Sequence, residues 1–164
     1  MRSILILLAL VFSHAASAQV RGNAELQAAM LATHNAARGD VGVKPLTWSE
    51  TLAEGARTHA QWMAANGRFE HSNTGLGENL WVGTDGAFSY ADMAGKWVAE
   101  KAYYRDAPSP NNSTTGNWAD VGHFTQMVWS NTTEVGCATA SGNGREHLVC
   151  RYSPAGNYTG QKPY

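Results

Sequence analysis

The sequence predicts a mixed α+β domain. Apolar side chains recur at helical spacing in several segments between residues 24 and 132, and two strand-like runs follow them, Glu134 to Ala140 and His147 to Tyr152. The 164 residues are enough for a substantial hydrophobic core. No internal repeat, heptad run or linker divides the chain, so we expect one domain over residues 19–164.

Residues 1–18 have the pattern of an export signal. Arg2 gives a positive start, Ile4 to Phe12 form an apolar run, and Ala16-Ser17-Ala18 is a small-residue cleavage site. The apolar run is too short to span a bilayer, and the alternative is a buried N-terminal helix. We expect a secreted protein without a transmembrane segment, extracellular or, in a Gram-negative bacterium, periplasmic.

The charge balance argues against nucleic acid as a partner. Removing residues 1–18 takes away Arg2 and leaves 11 basic and 13 acidic side chains, a net charge of −2. Such a chain has no electrostatic attraction for nucleic acid or for anionic lipid surfaces. All six tryptophans lie after residue 18, which favours a solid core or an aromatic-lined groove.

Four helices follow from apolar periodicity and end signals. The first runs from Ala24 to Arg38, and the second opens with a capping box at Thr47–Glu50 and stops at Gly67. The third runs from Tyr90 to Tyr104 after the cap Ser89, and the fourth lies within Gly122 to Thr132. The glycine-rich segment before Val82 predicts a short strand, and residues 106–119 predict a surface loop.

Glu100 lies on an apolar face of the third predicted helix. It follows Met93 and Trp97 at helical spacing and precedes Tyr104 on the same face. An unpaired buried charge is very costly, so Glu100 needs a partner if the face is buried. A solvated position at the rim of the helix is the equally open alternative.

His123 lies in a segment with an unusual density of amide and large apolar side chains. On a helix it shares one face with Gln126 and Met127, while Phe124 and Val128 fall largely elsewhere. One side of the helix can then be buried while the imidazole faces a cleft. A histidine considered alone is more often a hydrogen-bonded core residue.

Cys137 and Cys150 are the only cysteines, one in each strand-like run. An even count in an exported chain predicts a disulfide, which would stabilise the fold by roughly 3 kcal/mol or less. A thiol nucleophile and a pair of metal ligands are the competing interpretations. Both are disfavoured by the oxidising compartment that the export signal implies.

Four separated segments resemble the signature motifs of the CAP superfamily, which comprises cysteine-rich secretory proteins, antigen 5 and pathogenesis-related group 1 proteins. They are His34–Arg38, Gly77–Leu80, Gly122–Trp129 and Leu148–Tyr158. The resemblance runs from about residue 26 to the C-terminus, essentially the whole CAP (SCP) domain predicted at 19–164. Plant and venom members commonly carry six or more cysteines, whereas this chain has two.

The resemblance implies a three-layer α-β-α sandwich with a small antiparallel sheet. It also implies a cleft that holds two histidines and two glutamates, which by motif are His71, Glu78, Glu100 and His123. We expect this tetrad to bind Zn²⁺ or another divalent cation. The histidines would be the primary ligands, and the glutamates would ligate directly or orient the imidazoles.

The other histidines are interpreted as lying outside this site. His34 and Arg38 match the first motif and are expected to be structural. His59 is predicted on or beside a packed helix face and His147 at the start of a strand; neither matches a site motif.

For function, the resemblance implies a secreted, non-enzymatic binding protein, with sterol or other lipid ligands or a host- or defence-related interaction. The alternative is a hydrolase, metal-dependent or with Ser72 as a nucleophile beside His71. The chain has neither a Gly-x-Ser-x-Gly turn nor a His-Glu-x-x-His helix, so we expect a monomeric binding protein and not an enzyme.

The C-terminal segment Pro154 to Tyr164 resembles a peptide that is released from plant pathogenesis-related proteins of this superfamily. The alternative, which we favour, is that the tail packs over the sheet.

Overall fold

The computed structural model describes residues 23–164. The predicted signal peptide at 1–18 lies outside the described residues. In chain order the elements are α1 (Asn23–Asp40), β1 (Thr47–Trp48), α2 (Glu50–Asn66), β2 (Gly77–Thr84), α3 (Tyr90–Ala99), α4 (Gly122–Met127), β3 (Glu134–Gly142) and β4 (Arg145–Ser153). Short 3-10 helices follow α3 at Glu100–Tyr103 and precede α4 at Trp118–Asp120. Within this range no helix combines the length and apolar character needed to cross a membrane.

The four strands form one sheet in the order β1-β3-β4-β2. β4 pairs antiparallel with both β3 and β2, while the two-residue strand β1 pairs parallel with β3. The predicted antiparallel sheet is therefore confirmed for the three long strands, with a short parallel edge added.

Alternation along the strands sends side chains to two helical layers. Val135 of β3 and Leu148 of β4 join one core with α1, α3 and α4, whereas Ala138 and Val149 join a second core with α2. At Gly136 a Cβ atom would lie 2.3 Å from the backbone nitrogen of Ala53, so glycine is what allows α2 to approach the sheet this closely. The three-layer α-β-α sandwich is confirmed.

The hairpin of β3 and β4 carries the disulfide. Asn143 and Gly144 have φ of 54° and 72°, the positive values that a tight two-residue hairpin turn requires. This turn sets the register in which Cys137 lies opposite Cys150, and the two sulfurs are bonded at 2.00 Å. The disulfide prediction is confirmed.

The predicted start of the second helix and the predicted end of the third helix were wrong. The capping box at Thr47–Glu50 does not exist, because Ser49 N donates to Val135 O and the residues before it pair as β1. Ser49 instead caps α2, accepting from Leu52 N. The third helix was predicted to reach Tyr104, but α3 ends at Ala99 and tightens into a 3-10 turn.

The fourth helix is also shorter than the predicted segment, and buried Arg38 binds the carbonyl of its last residue. Its guanidinium donates to the carbonyls of Met127, Trp129 and Thr132 at 2.9–3.0 Å. The Met127 carbonyl is one that the end of the helix leaves open, and the bonds to Trp129 and Thr132 hold the turn that follows it. Arg38 is fully buried, in accord with its structural interpretation.

His34 is likewise fully buried. Its Nδ1 donates to Met30 O at 2.7 Å, so its Nε2 accepts from the Tyr152 hydroxyl at 2.8 Å. Burial lowers the pKa of His34 to about 4 against a small opposing effect of the Met30 bond. The neutral ring is a part of the core, as predicted for a structural residue.

Candidate functional site

A cavity of about 180 Å³ opens beside α4 at the start of β2. Its lining residues are His71, Glu78, Asn79, Trp118, Ala119, Gly122, His123 and Asn157. Three of the four predicted site residues therefore line one space. The fourth, Glu100, is bonded to the ring of His123.

Glu78 is the centre of the first histidine–glutamate pair. Its Oε1 accepts from His71 Nδ1 at 3.0 Å and from Ser72 N at 2.9 Å. Its Oε2 accepts from the Ser72 hydroxyl at 2.5 Å and from Arg151 Nε at 3.4 Å. The Glu78 side chain is only 5% exposed, whereas that of His71 is 62% exposed. The carboxylate is thus fixed on every side, and the imidazole projects from it toward solvent.

The Glu78 carboxylate is ionised despite its burial. Burial alone raises its pKa, but the hydrogen bonds from His71 and Ser72 outweigh burial and lower the pKa to about 2. A carboxylate that accepts several hydrogen bonds holds its charge well below neutral pH. Glu78 therefore acts as a permanent negative charge behind His71.

Glu100, the first residue after α3, is the carboxylate of the second histidine–glutamate pair. Its Oε1 accepts from His123 Nδ1 at 2.6 Å, and its Oε2 accepts from the backbone N–H groups of His123 and Phe124 at 2.9 and 3.1 Å. A carboxylate at this position satisfies the open donors of the first turn of α4. The Glu100 partner that the apolar face required is therefore His123 together with its backbone.

The ring of His123 is held by packing as well. It stacks on Trp97 with ring centroids 5.8 Å apart and planes inclined by 16°. Asn79 Nδ2 donates to the His123 carbonyl at 3.1 Å, which ties α4 to β2. The side chain is 31% exposed, half as much as that of His71.

The two pairs present the same chemistry to the cavity. A carboxylate only accepts hydrogen bonds, so Nδ1 of each histidine is the donor and Nε2 of the neutral ring carries the free lone pair. This is the arrangement in which an outer carboxylate orients a metal-ligating imidazole. Both glutamates are occupied by these bonds, which suits an orienting role better than direct ligation.

Direct ligation by all four side chains finds no support in the geometry. Among residues 23–164 no group of three or more His, Cys, Asp or Glu side chains is placed to hold one metal ion. A cation held in this cavity would take at most two ligands of these kinds from the described residues, the imidazoles of His71 and His123.

Sequence reasoning missed Arg151 as a partner of Glu78. The two residues lie opposite each other in the register of β2 and β4, where opposite charges attract across neighbouring strands. The sequence does show one charged residue in each of these strands, but the register that brings the two residues opposite each other was not predictable. Ser72, considered as a nucleophile, accepts from Arg151 at 3.0 Å and donates to Glu78.

The C-terminal segment forms one wall of the cavity. Asn157 donates to Gly122 O at 2.8 Å and accepts from the Thr125 hydroxyl at 2.7 Å, and Gly156 N donates to the Gln126 side chain at 2.9 Å. Farther along, Pro163 O accepts from Ser130 N at 2.7 Å. The tail is packed on the domain, as we favoured. The sequence had predicted that it would pack over the sheet, whereas it packs against α4 and the turn after it.

Comparison with known proteins places the chain among pathogenesis-related relatives. It is 40% identical over 160 residues to pathogenesis-related protein 1A of Nicotiana tabacum, covering 97% of this chain and 90% of that one. It is 42% identical over 133 residues to a PR-1 type pathogenesis-related protein of Sambucus nigra, covering 80% and 77% of the two chains.

Solved structures share the fold. The structure of NaASP2 with Zn²⁺ matches with a TM-score of 0.73 at 25% identity, covering 89% of this chain and 88% of that one. The hookworm platelet inhibitor matches with a TM-score of 0.70 at 20% identity, covering 88% and 77%. The model of the cysteine-rich secretory protein family matches residues 31–152. The chain therefore belongs to the cysteine-rich secretory protein family, the CAP superfamily.

Proposed function

We propose that this chain is a secreted, non-enzymatic binding protein with a defence-related role, whose cleft holds a divalent metal ion between His71 and His123. One observation supports the metal assignment. Both imidazoles line one cavity, and each donates a hydrogen bond from Nδ1 to a glutamate, which leaves Nε2 as the ligand atom. Export rests on the sequence pattern of residues 1–18.

Zn²⁺ is the cation that this donor set fits best. Neutral imidazole nitrogen is among its preferred ligands, and the nearby negative charges of Glu78 and Glu100 favour a cation. The related NaASP2 has been solved with Zn²⁺. When bound, the ion would supply a positive centre that polarises a ligand atom, while the chain's own groups fix the two rings.

The defence-related role is supported by the relatives, which are named pathogenesis-related proteins. A sterol or lipid ligand stays a prediction from the family resemblance. Trp118, 36% exposed on the wall of the cavity, is the apolar surface that such a ligand would meet there.

The bonding of Ser72 favours a binding protein over a serine hydrolase. A serine nucleophile needs a base that takes its proton, most often an imidazole. Here the Ser72 hydroxyl donates to the Glu78 carboxylate and accepts from Arg151, while the His71 Nδ1 proton goes to the same carboxylate. The serine is used to hold Glu78 in place.

Isothermal titration with Zn²⁺ tests the metal site. The protein would be purified from an oxidising compartment, stripped with a chelator, and compared with His71→Ala and His123→Ala. We expect each of these variants to bind at least tenfold more weakly while keeping the wild-type circular dichroism. His59→Ala is the control, because its imidazole bonds to Glu70 O and does not line the cavity. Its charge acts on Glu78 through space, so we expect a change in affinity well below tenfold.

Equal Zn²⁺ affinity in the wild type, His71→Ala and His123→Ala would show that the two pairs are a structural hydrogen-bond network. A second assay separates binding from catalysis. Peptide and ester substrates would be incubated with the wild type and with His123→Ala, with and without Zn²⁺. Turnover that depends on His123 would overturn the non-enzymatic assignment without affecting the metal site.

A further inference from the structure

A second, smaller cavity lies on the α2 side of the sheet. It has a volume of about 70 Å³ and is formed by residues 67–69 after α2, the β3–β4 turn, Val82 and His147. The pair Val82–His147 lies four residues along β2 and β4 from the pair Glu78–Arg151, about 13 Å at the usual rise per residue. No lining residue is shared with the cleft described above.

His147 is a buried side chain with an unused polar atom. It is 3% exposed, and its Nδ1 is buried without a hydrogen-bond partner among the described residues. It is the third residue of β4 and not the first, as the sequence had predicted. A buried polar atom without a partner is rare in folded proteins, and it marks a place where a bound group can supply the missing bond.

Positive charge surrounds this imidazole. Burial lowers the pKa of His147, the charge of nearby Arg145 lowers it further, and backbone interactions with Ala140 and Arg68 offset part of the effect. Arg68 also lines the cavity. The side chains of both arginines are exposed and form no ion pair or hydrogen bond within the part of the chain that the structure describes.

Asp85 and Glu146 are acidic residues at this end of the sheet, and Glu146 is buried with a partner of its own. Asp85, whose backbone N–H donates to Gly144 in the turn, directs its carboxylate to the Ser141 hydroxyl at 2.6 Å. Phe69, at the edge of the cavity, is 52% exposed. The surface therefore combines two uncommitted guanidinium groups, an imidazole nitrogen without a partner and an exposed aromatic ring.

We propose that this cavity binds a small oxyanion, a phosphate or carboxylate group, between Arg68 and Arg145 with His147 Nδ1 as a hydrogen-bond donor. Guanidinium groups match the geometry of both oxyanions. The volume corresponds to roughly two water molecules at about 30 Å³ each, enough for one such group. Phe69 would contact the apolar body to which the oxyanion is attached.

The test uses the full exported protein in metal-free form, titrated separately with inorganic phosphate and with acetate. Nitrogen-detected NMR of the imidazole rings reports on the site directly. We expect the His147 ring signals to shift saturably, while those of His71 and His123 stay in place. A response to phosphate alone identifies a phosphate site, and one to acetate alone identifies a carboxylate site.

Exposed arginines provide variants that leave the core intact. Arg145→Gln and Arg68→Gln should each weaken the binding at least tenfold. Arg57→Gln is the matched control, because it removes the same charge from α2 and its side chain pairs with Glu54 outside the cavity. An unchanged His147 spectrum with both anions, or equal binding by the wild type and Arg145→Gln, would overturn the proposal.

Discussion

The two histidine–glutamate pairs of the cleft share the same hydrogen bond, from an imidazole Nδ1 to a carboxylate, but different parts of the fold hold them in place. In the first, Glu78 is buried in the sheet and held by Ser72 and Arg151, while His71 is largely exposed. In the second, His123 is stacked on Trp97, and its glutamate caps α4. The carboxylate is therefore fixed in both pairs, whereas the imidazole is held by packing only in the second. Substitutions in the two pairs should separate effects on folding from effects on binding.

The largest expected effect on stability is that of Glu78→Gln. The change removes the negative charge beside Arg151, whose side chain is 11% exposed, and removing one partner of a buried ion pair costs about 3–5 kcal/mol. Urea unfolding at pH 7 measures the loss. A loss below about 1 kcal/mol would mean that the Glu78 network contributes little to the fold.

Acidification should remove the stabilisation that the ionised Glu78 carboxylate provides. The folded pKa of Glu78 is about 2 against an ordinary 4.5, so its stabilisation is complete above pH 4.5 and is lost as the pH falls toward 2. The linked free energy is about 3 kcal/mol. Unfolding midpoints of the wild type should fall more steeply across this window than those of Glu78→Gln, in which only the other titrating groups remain.

The core histidine has its own pH window. His34 has a folded pKa of about 4 against an ordinary 6.5, so the unfolded chain binds its proton more tightly and stability falls as the pH drops from 6.5 to 4. This step, also about 3 kcal/mol, should appear in both proteins. A wild type with constant stability between pH 6.5 and pH 4 would contradict the neutral buried ring.

The disulfide offers a change outside both pairs. Cys137→Ala with Cys150→Ala should lower the free energy of unfolding by about 3 kcal/mol or less, because the closed loop is short. Neither cysteine lines the cleft, so Zn²⁺ affinity should stay at the wild-type value. Urea unfolding measures the free energy of unfolding, and isothermal titration measures the Zn²⁺ affinity. A large loss of Zn²⁺ affinity would show that the hairpin influences the geometry of the cleft.

The smallest expected effect on stability is that of Glu100→Gln, at about 1 kcal/mol. A glutamine oxygen can still accept from the backbone N–H groups of α4, so only the strength of the charged bonds is lost. Zn²⁺ affinity should nevertheless fall about tenfold, because the carboxylate orients His123. If stability fell as far as in Glu78→Gln, the contrast between the two pairs would disappear.

Much of this fold was predictable from local patterns. The cysteine-bearing hairpin follows from two strand-like runs around a turn, and the need of Glu100 for a partner follows from its place on an apolar face. The positions of the four site residues came from the family motifs, and each histidine does meet one glutamate.

What escaped prediction depends on contacts distant in sequence. β1 is too short to show any periodicity, and its partners in β3 lie 87 residues later in the chain. Arg151 meets Glu78 only through the register of β2 and β4, which have α3, α4 and β3 between them in the chain. The bond to the last carbonyl of α4 comes from Arg38, a side chain 89 residues upstream of Met127.

The wall that the C-terminal tail contributes to the cleft has a consequence for proteolysis. A protease that cut before Pro154 and freed the segment would remove Asn157, and with it the bonds to Gly122 and Thr125 at the start of α4. The residual domain would then have a wider cleft and a less restrained His123. Liberation of the peptide and full cation affinity would be mutually exclusive states of one molecule.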